Sequence, residues 1–333
     1  MRLLYIGNNL KKGNPTLLEE VTHILSSLEY EVMISSSKQN KLLRLLEMIL
    51  TVIKSRKVDY VLIDTYSTIN FYYALIISQL CRIKGVKYIP ILHGGNLPIR
   101  LKNSRFLSKL IFDHSYINIS PSRYLKSKFE EYNFVTKVIP NPIPIDNYMF
   151  KSREKILPKL LYVRAFAELY NPQMAIYVLH ELRKVYSDAS LCMIGPDKDG
   201  NLGISKNLSK ELGIRDAVEF TGLLSKAEWH QKSKEFDIFI NTTNVDNTPT
   251  SVIESMALGL PVISTNVGGI PFLIDDKKDG ILIEKNNVKA MVEAIQVLIE
   301  DNDMAKLISG NARKKVENFD AVEVGKLWKT ILV

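Results

Sequence analysis

Two carboxylates eight positions apart, Asp246 and Glu254, bracket the run Asn247, Thr248, Pro249, Thr250 and Ser251. The run follows an apolar stretch at 237–241 and leads into 255–261, so it reads as strand, loop, helix, stop and strand. Thr248 suits the N-cap and Pro249 the first helical position. Gly259 suits a left-handed C-terminal cap. First-turn amides of such a helix lack intrahelical partners and bind phosphate readily, and the hydroxyls of Thr250 and Ser251 add donors. With an acid on either side to accept hydrogen bonds from sugar or ribose hydroxyls, the pattern fits a sugar-linked diphosphate. It fits an ordinary capped helix equally well, with Glu254 favoured by the macrodipole.

Two further places carry chemistry of interest. His93, followed by Gly94 and Gly95, ends the apolar run 88–92. Open α/β sheets place ligands at such strand ends, although a lone histidine serves structure as often as catalysis. Near the start, Gly13, Asn14 and Pro15 read as a turn, a cap and a first helical position that can face anionic oxygen. A plain turn competes with that reading. The glycines from Gly7 to Gly13 do not match Gly-x-Gly-x-x-Gly, which argues against a nicotinamide enzyme. Five histidines and two cysteines show no metal-ligand spacing, so no metal site is expected. Cys81 and Cys192 sit in apolar runs and read as buried hydrophobes in a reducing compartment.

The elements that must position these residues alternate. Strand-type runs fall at 3–6, 31–35, 59–64, 86–92, 116–120 and 137–140, then at 160–163, 190–194, 217–220, 237–241, 261–264 and 280–283. Helical patterns lie between them, among them 16–28, 42–54, 71–84, 172–186, 225–234, 249–258 and 288–300. Such alternation predicts parallel sheets covered on both faces, and two successive sets predict two doubly wound domains. The chain's 333 residues agree with two cores. Pro140, Pro142 and Pro144 break both periodicities and a polar run follows at 151–154, so the boundary is expected near 142 to 157 and the domains are divided at 150/151. The last stretch, 319–333, is an amphipathic helix that must dock on something.

Charge is unevenly spread. Residues 1–150 carry 20 Lys/Arg against 11 Asp/Glu, a net of +9, whereas residues 151–333 carry 24 against 25. The bias fits an anionic partner such as a membrane surface or a lipid phosphate, and it fits a solvated surface as well. A basic amphipathic segment at 97–112, with Arg105 and Lys109 beside Phe106, Leu110 and Ile111, fits either an interfacial helix or a core-packed helix with a charged edge. No apolar run is long enough to span a bilayer and the opening run is too short for a signal peptide. The expectation is a cytoplasmic protein, soluble or peripheral on the inner membrane face. No nucleic-acid-binding module is visible.

The segment 236–274 resembles the signature of retaining family 4 glycosyltransferases. Its elements are Asp246 and Glu254, the run Met256-Ala257-Leu258-Gly259-Leu260-Pro261-Val262-Ile263, and the pair Gly268-Gly269. Weaker echoes are Val138-Ile139-Pro140-Asn141-Pro142, Ile194-Gly195 and Phe220-Thr221-Gly222. The resemblance implies the GT-B architecture: two Rossmann-like domains facing each other across a cleft, here 1–150 plus 318–333 on the acceptor side and 151–317 on the donor side. It implies that Asp246 contacts the donor sugar and Glu254 the ribose. The amides of Thr248, Pro249's successors Thr250 and Ser251, and neighbouring Asn247 would hold the diphosphate, with Gly222 and Leu223 near the base. Gly13 and Asn14 would approach the phosphate, and His93 the sugar or acceptor.

Two departures stand out. Asp246 is a glutamate in most relatives, one methylene longer. The family's Gly-Arg and Lys-Gly pairs fall on Arg164 with Ala165, and on Tyr170 with Asn171, so a lysine that would balance diphosphate charge is missing. Arg164 is expected to supply a bidentate cation instead.

The expected activity is transfer of a sugar from a nucleotide diphosphate sugar, UDP- or GDP-linked, to a hydroxyl. It would need neither cofactor nor metal. The acceptor is expected to be a lipid-linked glycan in a capsule, lipopolysaccharide or other surface polysaccharide pathway. A GT-B nucleotide-sugar epimerase and a catalytically inactive sugar-nucleotide-binding subunit are the rival readings.

Overall fold

A computed structural model describes residues 1–9 and 16–333. The chain divides into two compact units, residues 1–143 with 319–333, and residues 144–318. The two crossings lie at one spot. The Ile143 amide donates to the Phe319 carbonyl at 2.9 Å, and Ile143 bridges Asp320. That pairing holds the chain in the first unit as far as Ile143.

The first unit is built from β1 (Arg2–Ile6), α1 (Leu17–Ser27), β2 (Glu31–Ser35), α2 (Lys41–Lys54), β3 (Tyr60–Thr65) and α3 (Ile69–Lys84). It continues through β4 (Lys87–Leu92), α4 (Leu97–Asn103), α5 (Arg105–Phe112), β5 (Asn118–Ser120), α6 (Arg123–Glu130) and β6 (Thr136–Val138). The strands pair in parallel in the order β2-β1-β3-β4-β5-β6. Helix α1 starts at a capping box. The Thr16 hydroxyl accepts from the Glu19 amide, and the Glu19 carboxylate accepts from the Thr16 amide. The cap is therefore Thr16 rather than Asn14; Gly13, Asn14 and Pro15 lie outside the described residues.

The basic segment 97–112 is two helices broken at Ser104, not one. Leu97, Leu101, Ile111 and Phe112 are buried in the core between α3 and the sheet. Arg100 bonds the Ser67 carbonyl and lies over Phe71, and Arg105 lies over Tyr132. The two helices thus pack one side into the core, and Ile99 and Phe106 stay exposed on the other.

The second unit comprises β7 (Lys159–Val163), α7 (Pro172–Arg183), β8 (Ser190–Ile194), α8 (Asn201–Glu211), β9 (Val218–Gly222), α9 (Lys226–Lys232) and β10 (Ile238–Asn241). After these come α10 (Thr250–Ala257), β11 (Val262–Thr265), α11 (Ile270–Leu273), β12 (Ile281–Ile283), α12 (Val288–Glu300) and α13 (Asn302–Glu317). Its parallel sheet runs β12-β11-β10-β7-β8-β9. Numbered within the unit, that is the 3-2-1-4-5-6 order of dinucleotide-binding sheets. Its central strands are near-continuous apolar runs, as burial on both faces requires.

The last helix, α14 (Ala321–Lys329), returns to the first unit. Val324, Trp328, Ile331 and Leu332 pack with Leu18, Ile24 and Leu25 of α1, and Gly325 leaves room for Ile24. No helix among the described residues is long and apolar enough to cross a membrane.

Candidate functional site

In the second unit the strand order reverses between β7 and β10, which lie side by side. Ligands of open α/β sheets bind outside the carboxyl ends of strands at such a point. Arg164 is the first residue beyond β7, and Asp246 lies five residues beyond β10. They form an ion pair between Nη2 and Oδ2 with both side chains largely buried. The guanidinium also lies over the Tyr170 ring, 4.1 Å from its centroid. Burial pushes the Arg164 pKa down while Tyr170 and Tyr162 hold it up. Its Nε is buried without a partner.

The loop that carries Asp246 is fixed by backbone. Asn244 donates to the Leu169 carbonyl at 2.8 Å, and Asp246 Oδ1 accepts from the Asn247 amide at 2.9 Å. The Gly269 amide donates to the Asp246 carbonyl at 2.9 Å. A Cβ on Gly268 or Gly269 would collide with the carbonyls of Asp246 and Asn247. The glycine pair is thus a seat for the loop.

Helix α10 begins at Thr250, with Pro249 in the extended N-cap position and no side chain capping it. Thr248 is therefore not the cap, because Pro249 takes that place. The hydroxyls of Thr248 and Ser251 are both buried and lack a hydrogen-bond partner. Orphan buried hydroxyls cost about 1–3 kcal/mol each unless a ligand satisfies them. Gly259 follows the helix with φ +80°, as a left-handed stop requires.

Glu254, 4% exposed, accepts from the Tyr148 hydroxyl at 2.8 Å and lies 3.3 Å from Lys226 Nζ. Burial raises its pKa, opposed by Lys226 and Tyr148. Tyr148 packs on His230, ring centroids 4.7 Å apart. Burial and Lys226 push His230 down to about 4, so it is neutral at pH 7. At the end of β9, Gly222 has φ +73° and Leu223 is 73% exposed.

Arg164, Asp246, Asn247, Thr248, Pro249, Thr250, Ser251, Glu254, Gly222 and Leu223 all belong to the second unit, and His93 to the first. His93 follows β4 and is buried. Its Nε2 lies 2.7 Å from Asp64 Oδ1, which also accepts from the Tyr5 hydroxyl at 3.0 Å. Tyr66 stacks on the imidazole at 4.5 Å. A carboxylate can only accept, so Nε2 carries the proton of this bond. Asp64, Tyr66, Tyr148 and Lys226 carried no local signal in the sequence. Each lies far along the chain from its partner, and only the sheet order brings them together. No group of three potential metal-binding side chains exists among the described residues.

Residues 145–315, just over half of the chain, match the family Glycosyl transferases group 1. The chain belongs to that family. An uncharacterized glycosyltransferase of Haemophilus influenzae is 27% identical over 209 residues, 62% of this chain and 57% of the relative. The chain thus spans little more than half the length of that relative. The Escherichia coli UDP-Gal:alpha-D-GlcNAc-diphosphoundecaprenol alpha-1,3-galactosyltransferase is 31% identical over 152 residues, 45% of this chain and 37% of the enzyme. Further relatives, from Staphylococcus aureus and Escherichia coli, are named for capsular polysaccharide and colanic acid biosynthesis. Among solved structures, Anabaena Alr3699/HepE in complex with UDP and glucose superposes with a TM-score of 0.77 at 17% identity, covering 100% of this chain and 99% of that one. The fold is that of GT-B glycosyltransferases, two Rossmann-like units.

Proposed function

We propose that this family member is a retaining family 4 glycosyltransferase, moving a sugar from a UDP- or GDP-sugar to a hydroxyl of a lipid-linked glycan. One observation carries the reading. At the strand-order reversal an uncapped helix start offers two buried, partnerless hydroxyls, on Thr248 and Ser251. A diphosphate satisfies both, together with the first-turn amides of Thr250 and Ser251.

The two acids then take different tasks. Glu254, oriented by Tyr148 and Lys226, accepts from the ribose hydroxyls. Asp246, oriented by Arg164 and by its own loop, accepts from hydroxyls of the transferred sugar. Gly222 and Leu223 present an open apolar edge to the base. Arg164 adds positive charge beside the diphosphate and keeps Asp246 in place.

Catalysis is by positioning and by stabilising charge on the departing diphosphate. No side chain of the site is placed as a covalent nucleophile, so the acceptor attacks from the leaving-group face. The leaving phosphate oxygen takes its proton. In the first unit His93, oriented by Asp64, is a candidate to meet the sugar or acceptor. No metal is required in this scheme.

The named acceptor of the Escherichia coli relative, a diphosphoundecaprenol-linked sugar, supports a lipid-linked acceptor. The UDP of the Anabaena complex supports a UDP donor. We place the reaction on the cytoplasmic face of the membrane, in surface polysaccharide assembly.

Thermal-shift titration with UDP-, GDP- and ADP-sugars tests the donor site. Donor at a hundred times its Kd adds about 2.7 kcal/mol of stability. No shift with any of them overturns the reading. One observation favours the inactive-subunit alternative: Arg164 is already paired with Asp246, and Tyr170 stands at the lysine position. A thermal shift without transfer or hydrolysis across an acceptor panel would select it.

A further inference from the structure

The outward face of α2 is aliphatic. Leu42, Leu43, Leu46, Leu50 and Ile53 are 74, 54, 53, 49 and 53% exposed. At about 100° per residue these five share one stripe roughly 100° wide. The opposite stripe, Arg44, Met48 and Val52, is buried against the first unit. A helix on the surface of a parallel sheet ordinarily turns polar residues outward. Here the charges lie at the two ends instead. Lys38 and Lys41 flank the start, and Lys54, Arg56 and Lys57 flank the end, all exposed. Glu47 is the one acid from 38 to 57, and its carboxylate accepts from the Ser37 amide at 3.2 Å.

The helix is firmly held. The Tyr73 hydroxyl of α3 donates to the Lys41 carbonyl at 2.9 Å. At the other end Lys84 Nζ donates to the carbonyls of Val52, Ile53 and Ser55. Beside it α3 exposes Tyr72, Ile76 and Ile83, widening the apolar surface.

We propose that α2 docks the protein on an anionic bilayer surface. Its five aliphatic side chains enter the boundary between headgroups and acyl chains, and the five cations at its ends meet lipid phosphates. Charge complementarity selects this occupant. None of Lys38, Lys41, Lys54, Arg56 and Lys57 forms an ion pair among the described residues. A second copy packed on the same face would bring two cationic rims together, whereas anionic lipid neutralises them. The segment 97–112 offers a smaller apolar surface, since of its large apolar side chains Ile99 and Phe106 are exposed while Leu97, Leu101, Ile111 and Phe112 are buried, and Arg100 and Arg105 lie over rings of the same unit. The inference rests on the proposed function only for its purpose, the delivery of a lipid-linked acceptor.

Sedimentation of the full chain with vesicles tests it. Binding is expected to vesicles of phosphatidylcholine mixed with phosphatidylglycerol, and to fall about tenfold or more on phosphatidylcholine alone. Leu46→Glu with Leu50→Glu should abolish binding, and Lys54→Glu with Arg56→Glu should weaken it about a hundredfold. These side chains are exposed, so circular dichroism and the UDP-sugar thermal shift should be unchanged in both variants. Equal binding to charged and neutral vesicles, or binding unaffected by either variant, overturns the proposal. A concentration-dependent dimer in analytical ultracentrifugation that Leu46→Glu dissolves also overturns it, in favour of a second copy. Loss of the UDP-sugar shift with intact vesicle binding overturns the proposed function and leaves this inference standing.

Discussion

Both units present polar residues where their strand order changes, yet the two places differ in what they leave unsatisfied. In the first, Gly7 follows β1 closely enough that a side chain there would strike Asp64, and Asp64 is closed off by Tyr5 and His93. Tyr5, Asp64 and His93 are hydrogen-bonded to one another in that cluster, and beyond it Asn9 Oδ1 is buried without a partner. In the second, Arg164 and Asp246 pair, but the hydroxyls of Thr248 and Ser251 and the first turn of α10 are left open. A closed cluster fixes one ring in one orientation, whereas an open one holds free energy in reserve for a ligand. The two clusters thus differ in what they do: one orients a ring, and the other keeps hydroxyls open to a ligand.

The comparison breaks most visibly at Arg164. Arg164→Ala leaves a buried Asp246 charge without compensation, which costs on the order of 3 kcal/mol of stability. Chemical denaturation should show it, together with loss of sugar transfer. A variant of unchanged stability would mean that the pair is not a structural part of the site.

Asp64→Asn tests the closed cluster. It keeps the shape but replaces a carboxylate that fixes the imidazole tautomer, and losing a hydrogen bond of that kind costs about 1.5–3 kcal/mol. Transfer should fall about tenfold to a hundredfold in kcat, with the donor thermal shift preserved because the donor site lies in the other unit. A fall in donor binding instead would place the cluster's role elsewhere.

Ser251→Ala and Thr248→Val test the open one. Each removes a hydroxyl that has no partner in the free protein, so unliganded stability should stay level or rise slightly. Donor affinity should fall about five- to tenfold for each, by isothermal titration. Unchanged affinity would show that these hydroxyls do not meet the ligand.

The smallest effect is a pH dependence. Burial raises the Glu254 pKa above its unfolded value, so the folded state prefers the protonated form. The stability it contributes is fully present below the unfolded carboxylate pKa of about 4.3 and is lost as pH rises through the folded value. Glu254→Gln should therefore melt higher than the parent at neutral pH, and the gap should close in acid. A gap independent of pH would remove ionisation of Glu254 as its cause.

The double α/β alternation, the strand positions and the acid pair at 246 and 254 were legible because each has a local cause. Apolar period, proline breaks and helix caps are properties of neighbouring residues. Several features near the sites were misread for the same reason. Thr248 and Asn14 resemble caps locally, but Pro249 and Thr16 take those positions once the helices are set. The segment 97–112 fits an interfacial or a core-packed helix by composition, and its division into two helices at Ser104 has no local signal.

What the sequence determined alone was the kind and order of elements, and which residues could face an anion, since these follow from periodicity and from side-chain chemistry. Strand order was decided only in three dimensions. It set β7 against β10 and so joined Arg164 to Asp246, 82 positions apart. It brought Tyr148 to Glu254 across 106 positions and Asp64 to His93 across 29. Which stripe of α2 faced the core was also settled there, because the buried side takes in Arg44, whose guanidinium bonds the Lys38 and Gln39 carbonyls, while five aliphatic residues stay outside.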